Sequence, residues 1–410
     1  MENSHLIGDD GLATLNPLDL YAFVSGERPC DHRLPAKIAW ALEAIAAQRG
    51  WRVGENLGTE EALVAQLGVS REALREGVKI LERRGSMQMA RGRFGGLKIT
   101  EPDVVHIAAA LALYLRLTGC TAEQVGVCVT ALSEAERRVT ERSDVAKAFK
   151  QIFSIAAVTN DLLAHSFKAT AGAGDIGYRP MFPNAHAIGA VTALKIMEHA
   201  MRVEGLKARI GSEWELGDLL LSSRAAIRQG LRMLADLDLI ETRRGRGGGA
   251  FLKQPGPLGV IRQIHSLIAA WGHSPGNLIP LVWELNLCHL RLANLRIAAM
   301  PQHDRDQLCD AMEQAMDHAQ EPTRWIRLQK MIAEIAGSPM VDVLILCLVS
   351  YQMRTFDLPA PGRDTSRLLG LERQIVDALR RCQFRLAEQS EIEAQLLISK
   401  MVVDQRHDAA

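Results

Sequence analysis

A twelve-residue segment occurs twice in this chain, and any fold proposed for it must accommodate both copies. Ser70-Arg71-Glu72-Ala73-Leu74-Arg75-Glu76-Gly77-Val78-Lys79-Ile80-Leu81 returns 153 positions later as Ser223-Arg224-Ala225-Ala226-Ile227-Arg228-Gln229-Gly230-Leu231-Arg232-Met233-Leu234. Six of the twelve positions are identical and five conservative; only Glu72 against Ala225 differs in kind. The same offset carries Gly58-Thr59-Glu60 onto Gly211-Ser212-Glu213, and Gly92-Arg93 with Gly95-Gly96 onto Gly245-Arg246 with Gly248-Gly249. Two copies are too few for a solenoid, so the chain contains a duplicated unit.

A length of 410 residues allows two to four domains, and the low share of aromatics, 5%, beside abundant Ala, Leu and Arg favours helices. Forty-eight basic residues balance forty-eight acidic ones, so an electrostatic case for nucleic acid has to be local. The seven cysteines are odd in number, scattered and without a C-x-x-C pair, as expected of free thiols in a reducing cytoplasm. The start, Met1-Glu2-Asn3-Ser4-His5, has no basic cap before an apolar core, and the apolar run Val343–Val349 is far shorter than a membrane span of about 18 residues. These features predict a cytoplasmic protein with no membrane partner.

Residues 1–34 are punctuated by Asn16-Pro17, Arg28-Pro29 and Leu34-Pro35 and read as an arm, with at most a short helix near Leu18 to Val24. A helix follows over 36–48, then a short one over 59–67 opening with Thr59 as cap and Glu60 and Glu61 in its first turn. Gly68-Val69-Ser70 forms a turn. Ser70 caps a helix to about Arg84 whose stripe Leu74, Val78, Leu81 is half-buried in pattern. Met87-Gln88-Met89 and Leu97-Lys98-Ile99 then flank a glycine-tipped loop. Helix, helix, turn, helix, hairpin is the order of a winged helix-turn-helix. The predicted organisation is an arm (1–34), a first winged helix-turn-helix (35–102), a short helical domain (103–169), a linker (170–189), a second winged helix-turn-helix (190–255) and a helical effector-binding domain (256–405). The fold class is mainly α, with small β-hairpin wings. Each head is followed by an all-helical effector-like domain, the first of them truncated. In the last domain one long helix is expected over 365–388.

Arg71, Arg75 and Lys79 recur at i, i+4 and i+8, forming a cationic stripe beside the apolar one, and Arg224, Arg228 and Arg232 repeat it. Residues 70–98 carry eight basic against three acidic side chains, and residues 223–253 seven against three. The neutral total therefore hides two basic patches. Arginine at the start of a recognition helix is the commonest reader of guanine edges.

The stretch from Leu57 to Ile99, with Leu57-Gly58-Thr59-Glu60, Leu67-Gly68-Val69-Ser70-Arg71, Leu74-Arg75-Glu76, Leu81-Glu82, Gly85 and Gly95-Gly96, resembles the DNA-binding domain of GntR-superfamily transcriptional regulators. The helices after each wing resemble the effector domain of the FadR-like branch, so residues 36–405 read as two fused copies. The resemblance implies a double-stranded DNA operator as partner, contacted through Ser70, Arg71, Arg75, Lys79, Gly92 and Arg93, with Ser223, Arg224, Arg228, Arg232 and Arg246 in the second copy. It also implies repression modulated by a small organic effector, and a homodimer or an intrachain pseudo-dimer. The family usually carries a DNA-contacting arginine just after the helix-2 glutamate, where this chain has Glu61 and Trp214, and the second copy replaces Gly-Val-Ser with Leu221-Ser222-Ser223. The second head is accordingly the weaker expectation. The alternative is a ligand-sensing or protein-interaction module with degenerate heads.

Many FadR-like domains hold a divalent metal through an Asp or Asn and three His. Here Gln329, Glu372 and Ala394 stand where the resemblance places imidazoles, with Lys150 at the matching point of the first copy, so no metal is expected. Gly172-Ala173-Gly174-Asp175-Ile176-Gly177 matches G-x-G-x-x-G, yet no strand precedes it and Pro180 opposes a following helix, so no dinucleotide cofactor is expected either. No nucleophile–base pair or paired carboxylates stand out for an enzyme.

Overall fold

The computed structural model describes residues 34–90, 92, 95–139, 143–170, 185–202, 208–237, 239–243, 245–253, 256–273, 278–317, 323–352 and 363–408. Residues 1–33 of the expected arm, residues 171–184 of the expected linker, Arg93 and the G-x-G-x-x-G segment lie outside them, while residues 185–189, expected in the linker, already belong to a helix. Among the described residues the protein is mainly helical, with two small antiparallel sheets.

The first copy runs α1 (Leu34–Gln48), α2 (Glu60–Leu67), α3 (Arg71–Arg84), β1 (Met87–Ala90) and β2 (Gly96–Ile99). Its boundaries follow local chemistry. The Thr59 side chain accepts from the Ala62 amide at 3.3 Å and Ser70 from Ala73 at 3.2 Å, so each helix start has a capped donor. Gly68 and Gly85 close α2 and α3 in the left-handed region, at φ 65° and 69°. Leu74, Val78 and Leu81 of α3 are buried and α3 packs on α1. Gly77 makes this approach possible, because a Cβ there would lie 2.6 Å from Ile38 Cγ2.

Helices α4 (Val104–Leu117), α5 (Ala122–Val139) and α6 (Ser143–Thr170) follow, and then the second copy: α7 (Ala185–Arg202), β3 (Arg209–Gly211), α8 (Glu213–Leu219), α9 (Arg224–Asp236), β4 (Ile240–Arg243) and β5 (Gly249–Leu252). Here α9 packs on α7, and Gly230 repeats Gly77: a Cβ would meet the Ala193 amide nitrogen at 2.9 Å. The sheet is three-stranded, β3-β5-β4, and sequence patterning misses β3 because it is only three residues long. Its pair Arg209↔Phe251 corresponds by the repeat offset to the isolated bridge Asn56↔Lys98 in the first copy.

The remaining helices are α10 (Leu258–Ala270), α11 (Ile279–Ala298), α12 (Gln302–Asp317), α13 (Thr323–Ala336), α14 (Pro339–Gln352), α15 (Arg363–Arg380) and α16 (Phe384–Asp408). The single helix expected over 365–388 is broken at Arg381–Gln383, where Cys382 takes φ 55°. A left-handed cysteine leaves no composition signal, unlike Gly or Pro, so the break could not be read from the sequence.

The chain forms two compact units. The described residues of the first fall within 34–122 and 154–273, which include both copies of the repeat; those of the second fall within 123–153 and 278–408. Within the first unit, α4 packs against α7 and α10. Ser266 of α10 in turn donates to Glu43 of α1 at 3.0 Å. Because α4 and α10 are equivalent under the repeat, each copy sends its post-hairpin helix to the first helix of the other. In the second unit α11 is the hub, packed on α13, α14 and α16, and Leu290, Ile297, Met312, Leu328, Ile332, Ile375 and Leu379 are part of its core. Among the described residues no helix is long and apolar enough to cross a membrane.

Candidate nucleic-acid interface

The start of α3 presents Arg71 and Arg75 to solvent, with 61% and 63% of each side chain exposed. The Ser70 hydroxyl beneath them is the helix cap. The Arg75 Nε donates to both carboxylate oxygens of Glu60 at 3.1 Å, and this pairing holds the guanidinium pKa above its ordinary value. Arg71 lies 3.7 Å from Glu61, and Lys79 pairs with Glu76 at 2.6 Å. Gly92 is exposed at φ 104° between the strands of the hairpin, a conformation that favours glycine and leaves bare backbone at the tip.

The second copy reproduces this arrangement atom for atom at one point. Arg228 Nε donates to Glu213 at 3.1 Å, and Glu213 and Arg228 are the repeat equivalents of Glu60 and Arg75. Ser223 caps α9 with the same 3.2 Å bond to Ala226. Arg224, Arg232 and Arg246 are exposed. Arg209 anchors the first turn of α8 by gripping Glu215, whose pKa falls to about 2 through the hydrogen bond to Arg209 and those to Ser212. The helix-2 glutamates were not among the sequence candidates. The signal was present, since one offset carries both members of the Glu60–Arg75 pair.

The copies differ around this shared frame. Glu61, which faces Arg71, becomes Trp214 with 59% exposure, and among the described residues no carboxylate pairs with Arg224. Gly68 becomes Leu221, 94% exposed and held at φ 48°, a conformation that costs a non-glycine residue about 1–2 kcal/mol. Gln66 becomes Leu219, 56% exposed.

Arg84 requires a correction to the basic patch read from sequence. It is 3% exposed and turned inward, donating to Asp236 through Nε at 3.1 Å and Nη2 at 3.1 Å, and to Glu43 through Nη1 at 3.2 Å. Burial works against its charge, but the Asp236 and Glu43 carboxylates outweigh it and raise the pKa above the ordinary arginine value. The C-terminal ends of α3 and α9 are thereby joined, one copy to the other.

In the second unit, the positions where the resemblance places metal ligands do not fit a divalent ion. Gln329 donates to Glu391 at 3.0 Å, Glu372 accepts from Arg324 at 2.7 Å, and Ala394 is buried and has no donor atom. Glu391 is fully buried, also accepts from Gln395 at 2.6 Å, and is pushed up to about 7 by burial, which outweighs the two amide donors. The unfolded carboxyl releases its proton near 4.5, the folded one near 7, so its contribution to stability is complete below about 4.5 and is lost as pH rises through about 7. Glu391→Gln is therefore expected to flatten the melting temperature between pH 5 and 8 and to stabilise the protein above pH 7 by about 1–3 kcal/mol. A scanning-calorimetry series in pH checks this; a parent whose stability rises across that window would contradict it.

No family model and no curated protein matches the chain. Among solved structures it is similar to GntR from Streptococcus agalactiae, at 22% identity over 52% of this chain and 99% of that one, with a TM-score of 0.37. It is also similar to McbR/YncC from E. coli, at 14% identity over 53% of this chain and 98% of that one, with a TM-score of 0.25.

Proposed function

We propose that the protein is a DNA-binding transcriptional regulator of the GntR type, with two winged helix-turn-helix heads in one chain acting as a pseudo-dimer. The observation that carries this reading is the repeated clasp: a serine-capped helix whose exposed arginine at i+4 is oriented by a glutamate from the preceding helix, at the same 3.1 Å in both copies. Glu60 engages Arg75 through Nε and one Nη, and the N–H groups that remain are available for base edges and phosphates. Ser70, Arg71, Arg75, Lys79, Gly92 and Arg93 form the first head, and Ser223, Arg224, Arg228, Arg232 and Arg246 the second. The finer parts of the proposal are that binding represses transcription and that a small organic ligand in the residue 256–405 bundle modulates it, with no metal. A protein-interaction role for degenerate heads is the second reading, favoured by the exposed Trp214 and Leu221.

A gel shift on duplexes from the upstream region of its own gene, repeated over a salt series, separates the two. The regulator should bind with an affinity that falls steeply as salt rises, the logarithmic slope being about −0.9 per phosphate neutralised. Failure to bind any duplex at low salt would leave the second reading.

A further inference from the structure

We propose that Arg209 and its repeat equivalent Asn56 are positioning residues, each fixing the tip of its wing in register with the recognition helix of the same head. The inference rests on the regulator reading above and deepens it, by naming side chains that set where a wing meets DNA without reading the sequence themselves. In both copies the hairpin tip closes by the same turn, Gly95 donating to the Gly92 carbonyl and Gly248 to that of Gly245, each at 2.8 Å. The carbonyl of the last turn residue then accepts from a side chain outside the hairpin. Gly248 accepts from Arg209 Nε at 2.9 Å, and Gly95 from Asn56 Nδ2 at 3.2 Å.

The other end of each side chain holds the entry to the second helix. Arg209 donates through Nη1 and Nη2 to the two carboxylate oxygens of Glu215, at 3.2 and 2.6 Å, and Glu215 also accepts from the amide of the cap Ser212 at 2.6 Å. Asn56 Oδ1 accepts from the Gly58 amide at 2.9 Å, one residue before the cap Thr59. The residue after each cap is the glutamate that orients the recognition arginine, Glu213 for Arg228 and Glu60 for Arg75. Wing tip, helix entry and recognition arginine thus form one chain of contacts in each head. Backbone meets backbone there as well, since a Cβ at Gly96 would lie 2.6 Å from the Gly58 oxygen and one at Gly249 2.7 Å from that of Gly211. The two ties use unlike chemistry. A neutral amide serves in the first copy; a guanidinium serves in the second, where Glu215 replaces Ala62 to hold it. The Arg209 and Glu215 side chains are 38% and 52% exposed, so as an ion pair they add little stability. They add direction instead, because a planar fork bound at three nitrogens has one orientation. Arg246 lies exposed within the turn that is held, so the backbone carrying it is arranged before DNA arrives and less order has to be imposed on binding.

The test is a double-mutant cycle on duplexes that the full-length protein selects from a random pool. Arg209→Lys keeps the charge and removes the fork that grips Gly248 and Glu215 together. It should weaken binding about 3- to 10-fold when Arg246 is present, the worth of one or two hydrogen bonds. In Arg246→Ala it should weaken binding no further, because a loosened wing loses affinity only where the wing has a contact to lose. The melting temperature should stay within about 2 °C of the parent. In the first head Asn56→Asp keeps the oxygen that accepts from Gly58 and loses the donor to Gly95, and it should weaken binding by a similar factor. Transplanting the device of the second head, Asn56→Arg with Ala62→Glu, should instead bind like the parent. Losses from Arg209→Lys and Arg246→Ala that simply multiply would show that Arg209 acts apart from the wing, overturning the inference but leaving the regulator reading standing. Parent-like binding by both Arg209→Lys and Asn56→Asp would do the same. Failure to enrich any duplex overturns the regulator reading, and this inference with it.

Discussion

Arg84→Met should lower the stability of the first unit by about 3–5 kcal/mol, since it removes the cation that bridges two buried carboxylates. For a unit of this size that corresponds to a fall in melting temperature of roughly 6–20 °C. The Glu43 carboxylate keeps its bond from Ser266, while Asp236, whose side chain is 6% exposed, loses both of its bonds from the guanidinium. Adding Asp236→Asn to Arg84→Met should therefore recover part of the loss. The same lesion separates the ends of α3 and α9, so the variant should accept a wider range of half-site spacings than the parent. Scanning calorimetry and a spacing series of duplexes read the two effects independently. A melting temperature within about 2 °C of the parent would show that the carboxylates find other partners or protonate at little cost.

Replacing Arg71 and Arg75 together by alanine should abolish most sequence-specific binding. Each base-reading arginine accounts for roughly 5- to 150-fold in affinity, and the two sit one helical turn apart on the same exposed stripe. Glu60 and Glu61 would be left facing the phosphates unpaired, which adds repulsion to the lost contacts. The matching substitutions Arg224→Ala and Arg228→Ala should weaken binding less and more evenly across sequences, because Leu221-Ser222 replaces the Gly68-Val69 turn before that recognition helix and Trp214 stands where the first head has Glu61. Its tethering to the first head sustains it through a high effective concentration. Fluorescence anisotropy on selected and scrambled duplexes at fixed salt measures both. Equal losses from the two pairs would mean that the heads read DNA equivalently.

The helical elements of this chain are legible because its punctuation is strong. Thr59, Ser70 and Ser223 occur where caps belong, and Gly68 and Gly85 where helices end. Legibility fails where a residue acts outside its usual chemistry. Cys382 turns the chain left-handed without being glycine, and β3 is too short to alternate. Arg84 was counted with the surface cations, although it follows Leu81 by three positions and so falls on the apolar stripe. Its repeat equivalent, Leu237, is 1% exposed and marks that position as interior. The orienting glutamates were open to discovery by the same comparison. The Glu391 contacts were not, since Gln329 and Glu391 are 62 residues apart and meet only because α13 and α16 both pack on α11.

A perfect duplicate would form each contact between its halves twice. The Arg84–Asp236 link is formed once, because the residue equivalent to Arg84 is Leu237 and the one equivalent to Asp236 is Arg83. A joint with no mirror image of itself makes the two halves distinguishable from within, so the pair has a front and a back. A self-associating regulator sitting on a palindrome faces both ways at once. On the regulator reading proposed above, a chain built like this one would have a direction along the double helix, and an operator with unlike ends would fix which way it points relative to the gene beside it.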